Sequence, residues 1–141
     1  MADRVNLAYM AGIFDGEGCI TISKCSRKDR RCTSPTYALA CAVGMANPYI
    51  ARLFLFAFGG AVFVRESEHR TMWTWRCSGH AAASFLRTLL PYVRLKRNEA
   101  ELGIQFQTSI KDRKGAPRRL DESVLAVREA QKILMSAMKD K

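Results

Sequence analysis

Two carboxylates, Asp15 and Glu17, stand two residues apart where a predicted helix ends. That helix is predicted over about residues 4–15, with Asp3 as its N-cap and glycines ending it. Because the C-terminal end of a helix carries partial negative charge, two acids there indicate a nearby cation. Carboxylates together with phosphate oxygens are the usual ligands of Mg²⁺. Acid pairs of this kind are also common as solvated surface groups, so the surroundings must decide between the two interpretations.

The predicted helix carries small residues along one face. Ala8, Gly12 and Gly16 recur every four residues, and Ala11 lies beside them. Each glycine costs helix stability, about 1 kcal/mol, and close packing against another helix would compensate for that cost. If the other helix is a second copy, two Glu17 carboxylates meet near the symmetry axis and hold metals between them. Alternatively, the small face packs tightly on the chain's own sheet.

Strand pairs and helices alternate after the first helix. Residues 19–27 and 36–44 show the period-two alternation of half-buried strands, and Asn47 followed by Pro48 starts the next helix. A second strand pair is predicted over residues 61–67 and 71–78, and further helices over residues 81–90, 94–110 and 121–138. Trp73 and Trp75 share one face of their strand and are interpreted as core residues, although a one-residue slip would expose them.

Charge and composition narrow the class of protein. The chain has 141 residues, 48% of them hydrophobic, which suits a single folded domain over residues 1–141. The net charge of +10 indicates a polyanionic partner, with nucleic acid ahead of an anionic membrane, or a basic protein without such a partner. No apolar stretch suits a transmembrane helix and no secretory pattern precedes the first helix. The five cysteines show no zinc spacing, so we expect reduced, mostly buried thiols in an intracellular protein.

The segment Met10–Gly18 (MAGIFDGEG) resembles the LAGLIDADG signature of homing endonucleases. Met10 takes the place of the first Leu, and Glu17 takes the place of the second acid. Leu89–Leu102 (LLPYVRLKRNEAEL) resembles the segment that carries the family's active-site lysine. The likeness covers about residues 5–107 and implies an α+β fold: an αββαββα core whose four-stranded antiparallel, saddle-shaped sheet has helices on one face. A C-terminal helical extension over about residues 119–139 is added to it.

The resemblance implies a homodimeric, Mg²⁺-dependent endonuclease that hydrolyses both strands of a long, pseudo-palindromic DNA target; other divalent cations are also compatible. It assigns metal binding to Glu17 and the Gly16 carbonyl, and charge stabilisation near the phosphate to Lys96. Asp15 is expected to stabilise the helix end and the paired interface rather than to do chemistry. The residues expected at the dimer interface are Ala8, Ala11, Gly12, Asp15 and Gly16.

The expected DNA-binding residues follow from strand alternation and from charge. In the first strand pair they are Thr21, Ser23, Cys25, Arg27 and Thr36, with Ala38, Ala40 and Ala42 exposed on the same face. In the second pair they are Arg65, Ser67, Arg70, Thr74 and Arg76. Lys24, Arg27, Lys28, Arg30 and Arg31 surround the first hairpin tip, where phosphate contact and plain solvation are even alternatives. Lys111, Lys114, Arg118 and Arg119 are further candidates for backbone contact.

One departure from the family pattern favours a different function. Where some single-motif relatives carry a glutamine that positions water, this sequence has Met45 or Gly44, and neither can order a nucleophilic water. The alternative is therefore a protein of the same fold that does not cleave: an RNA maturase that binds intron RNA, or a DNA-binding regulator. A basic structural protein bound to membrane or RNA is the third alternative.

Overall fold

A computed structural model of the protein describes residues 3–25, 35–110 and 121–139. In chain order, the elements are α1 (Arg4–Glu17), β1 (Gly18–Cys25), β2 (Thr36–Met45), α2 (Pro48–Phe58), β3 (Ala61–Glu66), β4 (Thr71–Ser78), α3 (Gly79–Leu89), α4 (Arg97–Thr108) and α5 (Glu122–Lys139). This order confirms the predicted α+β fold with its αββαββα core and added C-terminal helices.

Local sequence explains where the first two helices begin. The Asp3 carboxylate accepts a hydrogen bond from the backbone N–H of Asn6 at 2.8 Å, and the Asn47 side chain accepts one from Tyr49 at 2.9 Å. Both bonds satisfy N–H groups that have no partner within the helix. Pro48 occupies the first helical position, where its missing N–H is not needed. The predicted caps of α1 and α2 are therefore confirmed.

The four strands form one antiparallel sheet in the order β1-β2-β4-β3. Cys41 stands between Ile20 on β1 and Cys77 on β4, while Trp75 on β4 stands beside Val62 on β3. In a strand pair, directly opposed residues point to the same face. The sheet therefore has one face built from alternate residues of all four strands.

The helices cover that face, and the core lies between it and them. Ile20, Tyr37, Leu39, Cys41, Val43, Trp75 and Cys77 point into it and are buried. The rings of Phe54 and Phe85 lie 5.2 and 4.8 Å from the ring of Trp75, and the Trp75 indole N–H donates to the Gly59 carbonyl at 2.7 Å. This arrangement confirms the core register of the second strand pair.

The other face of the sheet, which we call the open face, carries no helix in the described part of the chain. Thr36 and Ala38 are exposed there, as predicted, but Ala40 is only 3% exposed. The prediction for Ala40 was wrong because its strand is central: Thr21 stands on one side of it and Ser78 on the other, and a methyl group is easily covered. Strand alternation predicts on which face of the sheet a side chain lies, but not how far the neighbouring side chains cover it.

Two further expectations need correction. Of the four cysteines described, Cys41 and Cys77 are buried and reduced, whereas Cys19 and Cys25 are reduced but exposed. The helix predicted from residue 94 begins only at Arg97, because the three preceding residues are held by a long-range contact described below. None of the helices in the described ranges combines the length and apolarity that a bilayer crossing requires.

Candidate active site and DNA-binding face

Asp15 joins the end of α1 to the segment that precedes α4. Its two carboxylate oxygens accept hydrogen bonds from the backbone N–H groups of Arg94, at 2.8 Å, and Lys96, at 3.1 Å. A carboxylate that accepts two backbone bonds fixes the chain on both sides of the contact. This role agrees with the expectation that Asp15 stabilises the helix end. The hydrogen-bond donors to its carboxylate, however, belong to the loop before α4 of the same chain.

Lys96 lies against the same helix end. Its ammonium group donates a hydrogen bond to the main-chain oxygen of Asp15 at 2.8 Å. The last carbonyls of a helix have no intrahelical partner and carry the negative end of the dipole, so a lysine is favourable there. The structure thus places Lys96 in contact with Asp15, the first member of the Asp15–Glu17 acid pair, although 81 positions separate the two residues in the sequence.

A cleft of about 530 Å³ opens beside this contact. The lining residues are Asp15, Gly18, Cys19, Leu95, Lys96, Asn98, Glu99, Met138 and Lys139. The end of α5 closes one side of the cleft, where the Lys139 ammonium lies 3.4 Å from the Cys19 sulfur. Sequence reasoning did not identify the α5 side of the cleft, because no local pattern relates residue 139 to residue 19.

Glu17 is the last residue of α1, and its side chain is exposed to solvent. β1 begins at the next residue, so the chain must turn without a linking segment. Gly18 permits this turn because any Cβ there would overlap the ring of Phe14. The glycine therefore allows β1 to begin directly after Glu17, at the end of the helix.

The donor set suits a hard divalent cation only in part. The Glu17 carboxylate and the Gly16 carbonyl at the helix end are oxygen donors of the kind that Mg²⁺ prefers. Within the described residues, however, no three His, Cys, Asp or Glu side chains gather closely enough to hold a metal ion. One chain offers too few ligands, so the residues fit a cation only if phosphate or a second chain supplies the others.

The outer face of α1 has no partner within residues 3–25, 35–110 and 121–139. A Cβ added at Gly12 or Gly16 would meet no heavy atom within 4 Å. Val5 is 78% and Tyr9 51% exposed on the same side of the helix. The alternative in which the small face packs on the chain's own sheet is therefore wrong.

Ala8 is also exposed on this outer face, but Ala11 is not. Ala11 is completely buried in the chain's own core, which leaves it no surface for a partner, so its assignment to a dimer interface is corrected. Three positions along a helix separate Ala8 and Ala11, and that rotation is enough to carry Ala11 onto the core side.

Most of the strand residues expected to bind DNA share the open face. They are Thr21, Ser23, Cys25, Thr36, Arg65, Thr74 and Arg76. Ser67 and Arg70 form the turn between β3 and β4, where the Ser67 hydroxyl donates to the Arg70 carbonyl at 2.9 Å. Arg27, Lys28, Arg30 and Arg31, and likewise Lys111, Lys114, Arg118 and Arg119, lie outside the described residues.

Lys24 is placed differently from the rest of this set. It stands opposite Tyr37, on the face that the helices cover, and its ammonium lies 3.3 Å from the Glu129 carboxylate of α5. The structure therefore does not bring Lys24 to the open face. Phe63 and Met72, by contrast, were missed although both belong to the open face. Alternation from Arg65 would have found Phe63, which stands two residues before it.

The arrangement of these elements is that of known nucleases. The homing endonuclease I-CvuI, solved in complex with the I-CreI target in the presence of magnesium with the DNA not cleaved, superimposes with a TM-score of 0.79. The two sequences are 23% identical, and the match covers 98% of this chain and 84% of that chain. The I-LtrWI LAGLIDADG homing endonuclease bound to target DNA superimposes with a TM-score of 0.69 at 12% identity. This chain has the LAGLIDADG homing-endonuclease fold.

A third structure of this fold, the archaeal intron-encoded homing endonuclease I-Vdi141I complexed with DNA, gives a TM-score of 0.64 at 11% identity, covering 92% of this chain and 98% of that chain. At the level of sequence, no family model matches the chain and no curated protein gives a significant match. The match to I-LtrWI covers 94% of this chain but only 44% of that protein. The homing-endonuclease fold thus occurs here as a unit of roughly half the length of I-LtrWI.

Proposed function

We propose that two copies of this chain form a site-specific endonuclease that requires a divalent cation and cuts both strands of a long, pseudo-palindromic DNA target. The observation that carries this proposal is the outer face of α1. Among the described residues nothing packs on it, a Cβ at either of its glycines would meet no heavy atom within 4 Å, and it leads directly to Glu17 and to the Lys96 contact. A second α1 laid along it brings two such helix ends together.

The length of the fold supports pairing. The chain spans 44% of I-LtrWI and 46% of I-SmaMI, two enzymes whose structures contain DNA. A second copy would supply the missing half. Pairing through the same patch on both copies creates a two-fold axis, so the preferred target has two related half-sites.

Glu17 and the Gly16 carbonyl would hold the cation, together with oxygens of the DNA phosphates and of the second copy. When bound, Mg²⁺ would act as a Lewis acid on the phosphodiester that is cut. I-CvuI was solved in the presence of magnesium and of calcium, which supports a divalent cation as the cofactor. Lys96, held at the helix end by Asp15, would stabilise the negative charge that develops on the phosphate.

The basic open face would bind the duplex. Arg65 and Arg76 are both exposed on it, and the net charge of the chain is +10. A twisted antiparallel sheet can enter the major groove, where all four base pairs are distinguishable. Affinity should then fall steeply with salt, as expected when arginines and lysines displace counterions from phosphates.

The test uses plasmid DNA that carries the insertion junction of the gene. With Mg²⁺, the wild-type chain should linearise the plasmid, whereas Glu17→Gln should bind the junction and leave it intact. Glu101→Gln is the matched control, because Glu101 is an exposed glutamate of α4 whose carboxylate lies 3.4 Å from Arg97. Cleavage by Glu17→Gln at the wild-type rate would refute the role of Glu17.

One observation favours the alternative without cleavage. Met45 stands opposite Trp73 and packs against the core, and Gly44 beside it presents no side chain to the open face. No polar group therefore replaces the water-positioning glutamine at these two positions. If the wild type binds the junction without cutting it and binds intron RNA tightly, the maturase is the correct assignment.

A further inference from the structure

We propose that Phe63 is a specificity-determining residue that contacts thymine methyl groups in the major groove of the target. The inference rests on the proposed binding of duplex DNA to the open face. It names thymine as a base that this surface recognises.

Phe63 is an unusual residue for its position. It is 57% exposed, and it stands opposite Thr74 in the middle of the second strand pair. Arg65 lies two residues further along the same strand, on the same face, and Arg76 lies diagonally opposite Phe63 on β4. A large aromatic side chain thus stands uncovered between two arginines, where burial in the chain's own core would have been favourable.

The nearest neighbours of Phe63 across the sheet are uncharged side chains. Gly44 continues its row on β2, and a Cβ placed there would lie 3.1 Å from the Thr74 hydroxyl and 3.8 Å from the Met72 methyl. The Met72 and Thr74 side chains therefore lie over the glycine on the open face. Phe63 and Arg76 also line one shallow cavity at the β3 edge of the sheet.

Base chemistry selects the ligand. In the major groove, arginine pairs with the two acceptors of guanine, whereas thymine offers one acceptor and a methyl group. A phenyl ring has no hydrogen-bonding group, so the methyl is the feature of a base edge that it can recognise. The flanking arginines favour a polyanion over an apolar protein surface, since a protein partner would have to bury their charges.

The experiment starts from a randomised duplex library, from which the full-length chain selects ligands in the presence of Ca²⁺. Selected duplexes are then resynthesised with deoxyuridine in place of each thymidine, which removes one methyl and nothing else. Binding is measured for the wild type, for Phe63→Ala and for Phe56→Ala. Phe56 is the matched control, because it is 93% exposed but belongs to α2, on the helix-covered side.

Loss of a contacted methyl should weaken wild-type binding about fourfold at one or two positions in each half-site. Phe56→Ala should show the same loss, whereas Phe63→Ala should bind the thymidine and deoxyuridine duplexes equally at those positions. The inference is wrong, and DNA binding stands, if removing any thymine methyl leaves the affinity of the wild type unchanged. The same conclusion follows if Phe63→Ala loses as much affinity on methyl removal as the wild type does. If no duplex is selected, DNA binding itself fails and the inference fails with it.

Discussion

Two acids that stand two residues apart have different tasks in this chain. The Asp15 carboxylate is occupied by two backbone N–H groups, whereas Glu17 projects into solvent beyond the last turn of α1. The chemistry of the two side chains is nearly identical, so their surroundings make the difference. Asp15 positions Lys96, and the proposed role of Glu17 in binding a cation requires the exposure that the structure shows.

Replacing Asp15 by Asn should therefore lower stability and cleavage by weakening the contact between the end of α1 and the loop before α4. The amide can accept one backbone bond but presents an N–H₂ group to the other, and the charge is lost. We expect the free energy of unfolding to fall by about 1–2 kcal/mol, measured by urea denaturation. Cleavage should fall as well, because the backbone of Lys96 is held less firmly while its ammonium keeps only the bond to the main-chain oxygen of residue 15.

Asp3→Asn is the matched control for this change. Asp3 caps the other end of α1 through one bond to Asn6, and asparagine is as good an N-cap as aspartate. Its stability should change by less than about 0.5 kcal/mol. Equal losses from the two variants would contradict the special position of Asp15.

Among the elements, α5 is tied to the first strand pair by a small polar cluster. The Tyr37 hydroxyl donates to the Glu129 carboxylate, and Lys24 lies 3.3 Å from the same carboxylate. The bond from Tyr37, assisted by Lys24, holds the pKa of Glu129 below its usual value. The bond to Glu129 likewise raises the pKa of Lys24.

The attachment of α5 should consequently depend on pH. A lowered carboxyl pKa contributes stability above the ordinary pKa of glutamate, and that contribution disappears as the pH falls below about 4. Amide hydrogen exchange in α5, corrected for intrinsic rates, should accelerate in this acid range relative to α4. In Glu129→Gln the protection of α5 should be lower at neutral pH and nearly flat in the acid range.

Glu122→Gln, at the exposed start of the same helix, should retain the acid-dependent behaviour of the wild type. Lys24 has the opposite pH dependence. Its raised pKa contributes stability that is lost only as the pH rises above about 10. If Glu129→Gln and the wild type exchange identically from pH 3 to pH 7, the cluster does not hold α5.

At the scale of the whole molecule, two helical glycines that look alike have opposite surroundings. Gly12 faces open space on α1. Gly103 lies inside, and a Cβ there would be 3.0 Å from Leu86 and 3.1 Å from Leu39. One glycine therefore serves packing within the chain, and the other is available for packing between chains.

Gly12→Ala should stabilise the isolated chain and weaken the proposed dimer. Alanine favours a helix over glycine by up to about 1 kcal/mol, and no heavy atom of the described residues lies within 4 Å of the added methyl. A second helix packed closely on this face would oppose it. Urea denaturation at low protein concentration measures the first effect, and sedimentation velocity measures the second.

Gly103→Ala provides the contrast, since overpacking costs about 1–3 kcal/mol and should outweigh the gain in helix propensity. It should destabilise the chain without a direct effect on dimer assembly. A Gly12→Ala protein that dimerises and cuts DNA like the wild type would show that α1 does not form the interface.

The elements and their faces could be predicted from the sequence by itself, because they depend on near neighbours. The caps at Asp3 and Asn47 use groups two or three residues away, and the alternation of β1 and β4 correctly identified Ile20, Ile22 and Trp75 as core residues. The acid pair and the small face of α1 are likewise local features of one helix.

Only the tertiary structure decided what each of these residues touches. The strand order β1-β2-β4-β3 covers Ala40 from both sides, and helix rotation turns Ala11 inward. The contact of Lys96 with Asp15 joins residues 81 positions apart in the sequence, and the ammonium of Lys24 lies 3.3 Å from Glu129 on the distant helix α5. Such contacts depend on how distant elements pack against one another, and no pattern within a few residues records that packing.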